Sequence, residues 1–185
     1  AGVFARMERP LILKAEPDSR PVSEDLRRML MELAALTDKL TVEWTPPSDG
    51  PERPCLRVLR ADGTDTGIAF HGVPGGHEFN SFVVGLYNAA GPGQSIDPAL
   101  AEAIAAIDRP LDLQIVVALS CTMCPELVIA AQKIAASNPL VTAKVYDVNH
   151  FPELRERYKI MSVPCLIINK AQVAFGKKTL GQLLE

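Results

Sequence analysis

Two cysteines stand close together as Cys121-Thr122-Met123-Cys124, and no other residues in this 185-residue chain are better placed to do chemistry. Cysteines two residues apart can lock a fold, hold a metal or exchange disulfides with another thiol, and their surroundings decide which. An apolar run from Leu111 to Leu119 precedes the pair, and a segment of helical period, Cys124 to Ser137, follows it. A strand, a CxxC and a helix put Cys121 at the mouth of the helix and Cys124 in its first turn. Free backbone N–H groups and the helix dipole favour a thiolate there, so such a cysteine titrates near pH ~7 rather than ~8.5. Cys121 is therefore the expected nucleophile. It would attack a substrate disulfide, and Cys124 would resolve the mixed disulfide. Pro125 suits the first turn, where a missing N–H costs little. A structural disulfide or two buried thiols is the plain alternative. Zinc wants four ligands; only Cys55, Cys165, His71, His77 and His150 could complete the set, and none forms a second close pair.

Val163-Pro164 opens a strand that would face the cysteine pair. A cis X–Pro bond there would offer the Val163 backbone to a substrate chain as a short pairing edge. The alternative is an ordinary proline at a strand start. Thr122 and Met123, between the cysteines, complete the expected substrate-binding set with Val163 and Pro164.

The elements that position these residues come in two similar series. In the first, Pro10 to Glu16 reads as a strand and Ser23 to Asp38 as a helix, with Leu26, Met29, Leu30, Leu33 and Leu36 at helical spacing and Ser23 as N-cap. Leu40 to Trp44 is a strand, with Trp44 expected in the core. Cys55 to Arg60 and Asp65 to Phe70 form a hairpin across Asp62-Gly63. A helix from His77 to Ala90 turns Phe79, Phe82, Val83, Leu86 and Ala90 inward. After Gly91-Pro92-Gly93 and a short helix, Pro98 to Ile107, the order recurs. It runs through a strand to Leu119, a helix to Ser137, a strand from Leu140 to Tyr146 and an added helix from Phe151 to Tyr158. A hairpin (Pro164 to Ile168 with Val173 to Phe175) and a helix from Thr179 to Glu185 complete it. Pro54-Cys55-Leu56-Arg57-Val58 echoes Pro164-Cys165-Leu166-Ile167-Ile168 at the same strand of each series. The expected fold is α/β: two units, residues 1–92 without a CxxC and 93–185 with one, each a mixed sheet flanked by helices. The two sheets could join edge to edge.

Composition excludes several classes. An apolar fraction of 48% with 22% charged residues is that of a globular protein. A net charge of −3 gives no electrostatic case for nucleic acid. No stretch approaches the ~20 apolar residues of a membrane span, and Ala1 to Pro10 lacks a signal-peptide core, so a cytoplasmic setting is expected. The chain has no initiator Met and its first residues read as the tail of a helix, so a piece of a longer chain is expected.

At Ser120-Cys121-x-x-Cys124-Pro125, Val163-Pro164 and Gly76-His77-Glu78-Phe79 the chain resembles thioredoxin and glutaredoxin. It is more similar still to the N-terminal domain of the F component of alkyl hydroperoxide reductase, over nearly its whole length. That resemblance implies two fused thioredoxin-like units, the first without cysteines at its site. It also implies a relay that takes electrons from a FAD- and NADH-dependent reductase portion and passes them to a two-cysteine peroxiredoxin. The chain has no GxGxxG after a strand, so the reducing power is expected from an attached or partner flavoprotein. Thioredoxins commonly bury an Asp six residues before the first cysteine; here that place holds Ile115. The resemblance assigns the proton to Glu78 instead, reaching across from the first unit as a catalytic residue beside Cys121 and Cys124. The alternative is a first-turn Glu that complements the helix dipole. The Trp that precedes the first cysteine in ordinary thioredoxin is replaced by Ser120, which argues for a dedicated partner. Cys165 reads as an auxiliary thiol or a small buried strand residue, Cys55 as a buried strand residue, and His77 as a helix-start residue without chemistry.

Two other functions fit less well. A self-standing protein disulfide oxidoreductase would usually carry a CxxC in each unit, and Glu16-Pro17-Asp18-Ser19-Arg20 holds none. A non-catalytic docking module would leave the CxxC without a purpose.

Overall fold

The structure, a computed structural model, describes residues 2–184. A short helix, α1 (Gly2–Arg6), buries Phe4 and leads into β1 (Leu11–Glu16). Leu11, Leu13 and Ala15 of β1 are buried and the residues between them half-buried, the alternation of a strand with one covered face. Helix α2 (Val22–Ala35) lays Leu26, Leu30 and Leu33 on that face and returns to β2 (Leu40–Trp44), parallel to β1. The hairpin of β3 (Cys55–Arg60) and β4 (Asp65–His71) adds to the other side of β1, and α3 (Glu78–Ala90) follows.

The second series runs α4 (Pro98–Ala105), β5 (Leu111–Val117), α5 (Cys124–Ser137), β6 (Val141–Asp147), α6 (Pro152–Tyr158), β7 (Cys165–Ile168), β8 (Gln172–Phe175) and α7 (Leu180–Leu183). Of the helix expected from Thr179, Glu185 lies outside the described residues.

The strands form one eight-stranded mixed sheet in the order β2-β1-β3-β4-β6-β5-β7-β8. The first four and the last four repeat the same order and directions. The two halves join head to tail where β4 pairs with β6 in parallel, from Ile68–Ala143 to His71–Tyr146. The mixed sheet flanked by helices is the architecture expected from the sequence.

Each face has its own core. Ile115 and Val117 of β5 point into the large cluster under α2, α3 and α5, whereas Val116 points into a smaller one beneath α6 with Tyr146, Phe151, Cys165 and Ile167.

Four side chains depart from the periodic reading. The helix expected from Ser23 already begins at Val22, after Pro21, so Ser23 lies inside α2. Its hydroxyl instead donates to the Asp18 carboxylate (2.6 Å) and accepts from the Asp18 N–H (2.9 Å). Leu36 follows the end of α2 and is exposed. Trp44 is 45% exposed because it closes β2, the edge strand of the sheet. Phe79 also points outward, since α3 turns Glu78, Ser81, Phe82 and Gly85 inward.

Candidate functional site

Strand β5 delivers the chain to a tight turn in which the Cys121 N–H donates to the Ala118 carbonyl at 2.9 Å. Cys124 is the first residue of α5, with Pro125 behind it in the first turn. Cys121 and Cys124 are paired as a disulfide, their Cα atoms 5.6 Å apart. Cys121 is half-buried, Thr122 and Met123 are exposed, and Cys124 is fully buried. An incoming thiol can thus reach one sulfur and not the other. Once reduced, Cys121 lies just ahead of a helix start, where unpaired N–H groups favour its thiolate.

Strand β7 pairs antiparallel with β5, Cys165 opposite Val116, and so carries Val163 and Pro164 to the pair. The Val163–Pro164 bond is cis. The Val163 carbonyl oxygen lies 3.9 Å from Cys121 Sγ. Met161, two residues earlier, is 92% exposed. Sequence reasoning gave it no role, and only its place in the loop before Pro164 could have pointed to it. Met123 and Met161 put flexible thioethers on the two loops that meet at the disulfide, the kind of surface that adapts to a docked chain.

Helix α3 of the first unit is fastened to the same turn. The His77 N–H donates to the Leu119 carbonyl at 2.9 Å, two residues before Cys121. The approach depends on Gly76: its φ is +54°, and a Cβ there would lie 2.6 Å from the Leu119 oxygen. Two residues after Gly76 stands Glu78, wholly buried. Its Oε1 accepts a hydrogen bond from the Ser81 hydroxyl, and Oε2 has no partner among the described residues. Burial raises the Glu78 pKa to about 7 against the opposing pull of the Ser81 hydrogen bond. Further along, Gln132 of α5 donates through Nε2 to the Ser81 carbonyl at 2.8 Å. Helices α3 and α5 therefore run side by side in the same direction, with Glu78 and Cys124 at their starts. Ser81, Gln132 and Gly85 escaped sequence reasoning, although a glycine inside a helical pattern is a known sign of close packing.

The remaining candidates lie elsewhere. Ile115 fills the large core, so no titratable side chain occupies its place. Cys165 belongs to the opposite face of the sheet from Cys124, and burial raises its pKa to about 11. It is a strand residue turned away from the disulfide. Cys55 is buried as well, its pKa pushed up to about 12 by burial, with its sulfur 3.7 Å from His71 Nε2. His71 Nδ1–H donates to the Glu52 carbonyl at 2.6 Å and the ring stacks on Tyr146 at 4.1 Å. Burial lowers the His71 pKa to about 4, so this pair is neutral at pH 7. Among the described residues no three His, Cys, Asp or Glu side chains converge as a metal site. His77 is exposed.

A mixed sheet that sets a cysteine pair at a helix start, one half-buried and one sealed, opposite a cis-proline, defines a thioredoxin-like disulfide-exchange site. Residues 111–185 match the thioredoxin domain family. The crystal structure of the N-terminal domain of alkyl hydroperoxide reductase AhpF from Enterococcus faecalis superposes with a TM-score of 0.93 at 36% identity, covering 99% of this chain and 93% of that one. The chain belongs to the family of AhpF N-terminal domains. Among curated relatives, the F component of alkyl hydroperoxide reductase from Pseudomonas aeruginosa is 30% identical over 97% of this chain and 34% of its own length. A protein named NADH dehydrogenase from Ferdinandcohnia aciditolerans is 31% identical over 96% of this chain and 34% of its own. The chain thus spans about a third of the length of these curated relatives. Among the described residues no helix is long and apolar enough to cross a membrane.

Proposed function

We propose that this chain is a cytoplasmic dithiol relay that carries electrons from a FAD- and NAD(P)H-dependent reductase to a two-cysteine peroxiredoxin through Cys121 and Cys124. The observation that carries the reading is the asymmetry of the disulfide: Cys121 is reachable beside the Val163 carbonyl, and Cys124 is sealed at the start of α5. The names of the longer relatives, alkyl hydroperoxide reductase and NADH dehydrogenase, support a reductase portion with NADH as donor. The flavin and the nicotinamide belong to that portion, and this chain's own part is thiol exchange. The division at residues 92 and 93 belongs to the same proposal: the second unit holds the dithiol, and the first supports it.

A thiolate of the reductase attacks Cys121 Sγ, the Cys121–Cys124 bond breaks, and Cys124 leaves with the electron pair and takes a proton. The second reductase thiol then displaces Cys121, leaving a dithiol here and a disulfide there. In the forward step the Cys121 thiolate attacks the peroxiredoxin disulfide while Val163, Pro164, Thr122 and Met123 hold the partner's backbone. Cys124 then attacks Cys121 Sγ and releases the reduced peroxiredoxin. Two electrons and two protons cross in each round. Glu78 handles the Cys124 proton: a carboxyl that titrates near neutrality can both give and take it.

The isolated domain should reduce a two-cysteine peroxiredoxin when supplied with dithiothreitol and should oxidise no NADH on its own. NADH oxidation by the flavin-free domain, or failure to reduce the peroxiredoxin with dithiothreitol present, would contradict the relay.

A further inference from the structure

Where α3 meets α5, one carboxyl group has two unlike oxygens. The fully buried Ser81 hydroxyl touches Glu78 Oε1 and also lies 2.9 Å from the Glu78 carbonyl oxygen. A hydroxyl has one proton to donate, so it can serve either acceptor. Glu78 Oε2 is buried with no partner among the described residues. One oxygen is held and the other is free. The hold is itself anchored from the second unit, because Gln132 Nε2 donates to the Ser81 carbonyl at 2.8 Å. Glycine at position 85 permits this approach, since a Cβ there would lie 2.6 Å from Gln132 Nε2.

We propose that Ser81 is a positioning residue of the exchange reaction: its hydroxyl clamps Glu78 Oε1 and reserves Oε2 for the proton that passes to and from Cys124. The inference rests on the reading of Glu78 as the proton carrier. When the disulfide is reduced, Cys124 leaves with the electron pair of the S–S bond and takes the proton from Oε2. The Ser81 O–H then turns fully to Oε1, the acceptor that has become charged. When Cys124 attacks Cys121, Oε2 recovers that proton as the Cys124 electron pair forms the new S–S bond, and the displaced pair leaves with the partner's thiolate. Most charged groups on the elements packed against α3 are engaged elsewhere: Glu126 of α5 pairs with Lys177, Glu16 of β1 with Arg57 of β3, Arg60 of β3 bonds the Ala136 carbonyl and Arg6 of α1 bonds Tyr87. Neither these nor Lys133 of α5 and Lys14 of β1 form an ion pair or hydrogen bond with Glu78 among the described residues. Of the titratable groups on α5, this leaves Cys124, at the helix start, for Glu78 to serve.

The test compares Ser81→Ala with wild type and with Glu78→Gln, all as the full 185-residue chain. Carboxyl ¹³C NMR of glutamate-labelled protein follows the Glu78 titration. Exchange with a chromogenic aryl disulfide is timed from pH 5 to 9. A hydrogen bond to a charged group is stronger than one to a neutral group, so Ser81→Ala should raise the Glu78 midpoint from about 7 by about one pH unit. The pH profile of exchange should move with it. An unmoved midpoint and profile in folded Ser81→Ala, with Glu78→Gln slow, would overturn the clamp and leave the proton carrier standing. Wild-type exchange by Glu78→Gln would instead overturn the proton carrier itself.

Discussion

In each half of the sheet a cis-proline follows a backbone carbonyl that faces the start of a helix, and the two carbonyls meet different chemistry. In the second half the Val163 oxygen lies beside Cys121 Sγ. In the first half the matching bond is Arg53–Pro54, also cis. Counting back three residues from the first residue of α2 and of α5 sets Ser19 against Cys121. No thiol stands there. The Arg53 carbonyl instead accepts from Arg20 Nη2 at 2.7 Å. The same guanidinium holds the Asp18 carboxylate at 2.6 Å, donates to the His150 carbonyl at 2.8 Å and sits over the Phe151 ring at 5.7 Å. Where the second unit sets Cys121 beside its carbonyl, the first has filled the place with its own arginine, which also bonds the second unit's His150 carbonyl. A sheet can be repeated while its groove is turned from exchange to assembly. The chemical contribution proposed for the first unit comes from the other end of its chain, through Glu78 on α3.

That division can be tested from both sides. The larger effect is expected at Glu78. Replacing it by Gln keeps the shape and removes the titration, and should slow exchange by ~10²- to 10⁴-fold at pH 7. Stability should respond in the opposite direction. Burial raises the folded-state pKa of Glu78 from 4.5 to about 7, so its ionisation costs the folded state nothing below pH 4.5. The cost grows as pH rises and is complete above pH 7. Glu78→Gln should therefore match wild type near pH 4.5 and exceed it by ~1–3 kcal/mol at pH 8. Urea unfolding at the two pH values reads this out. A variant that exchanges at the wild-type rate would reduce the first unit to a scaffold.

A smaller effect is expected at Arg20. Despite burial, which acts to raise it, the Asp18 pKa is held below its usual value by hydrogen bonds from Ser23 and Arg20. Arg20→Ala takes away one of those bonds and the clasp on the Arg53 and His150 carbonyls. It should cost ~1 kcal/mol at neutral pH, a modest figure because the guanidinium is partly exposed. The cost should shrink as pH falls through the Asp18 range, where the carboxylate is lost. Exchange through Cys121 should be unchanged. A fall in exchange rate equal to that of Glu78→Gln would show that the clasp supports exchange as much as the carboxyl does, and would break the division between assembly and chemistry.

The reacting pair could be read before folding because its chemistry demands a fixed spacing, and because the change from an apolar run to helical period brackets it. The repeat was legible for a similar reason: Pro54-Cys55 and Pro164-Cys165 open equivalent strands. The faces of individual helices were less so. Periodicity turned Phe79 inward, yet α3 rotates to present Glu78, Ser81 and Gly85 to α5, a neighbour that lies in another part of the sequence. Nothing local marks Arg20, which lies between β1 and α2. Its partners, Arg53 and His150, come together only when β4 pairs with β6. Ser23 has the composition of an N-cap, but Asp18 competes for its hydroxyl and wins. Contacts that cross between the two units leave no local pattern to read.

The proposed relay requires that Cys121 meets the partner and Cys124 resolves. Cys124→Ser, mixed with an oxidised two-cysteine peroxiredoxin, should accumulate a stable mixed disulfide, and peptide mass spectrometry should place it at Cys121. Cys121→Ser under the same conditions should give none, because Cys124 is sealed at the start of α5 and Cys55 and Cys165 are buried. A mixed disulfide on Cys124 in the Cys121→Ser variant, with none on Cys121 in the Cys124→Ser variant, would contradict the account.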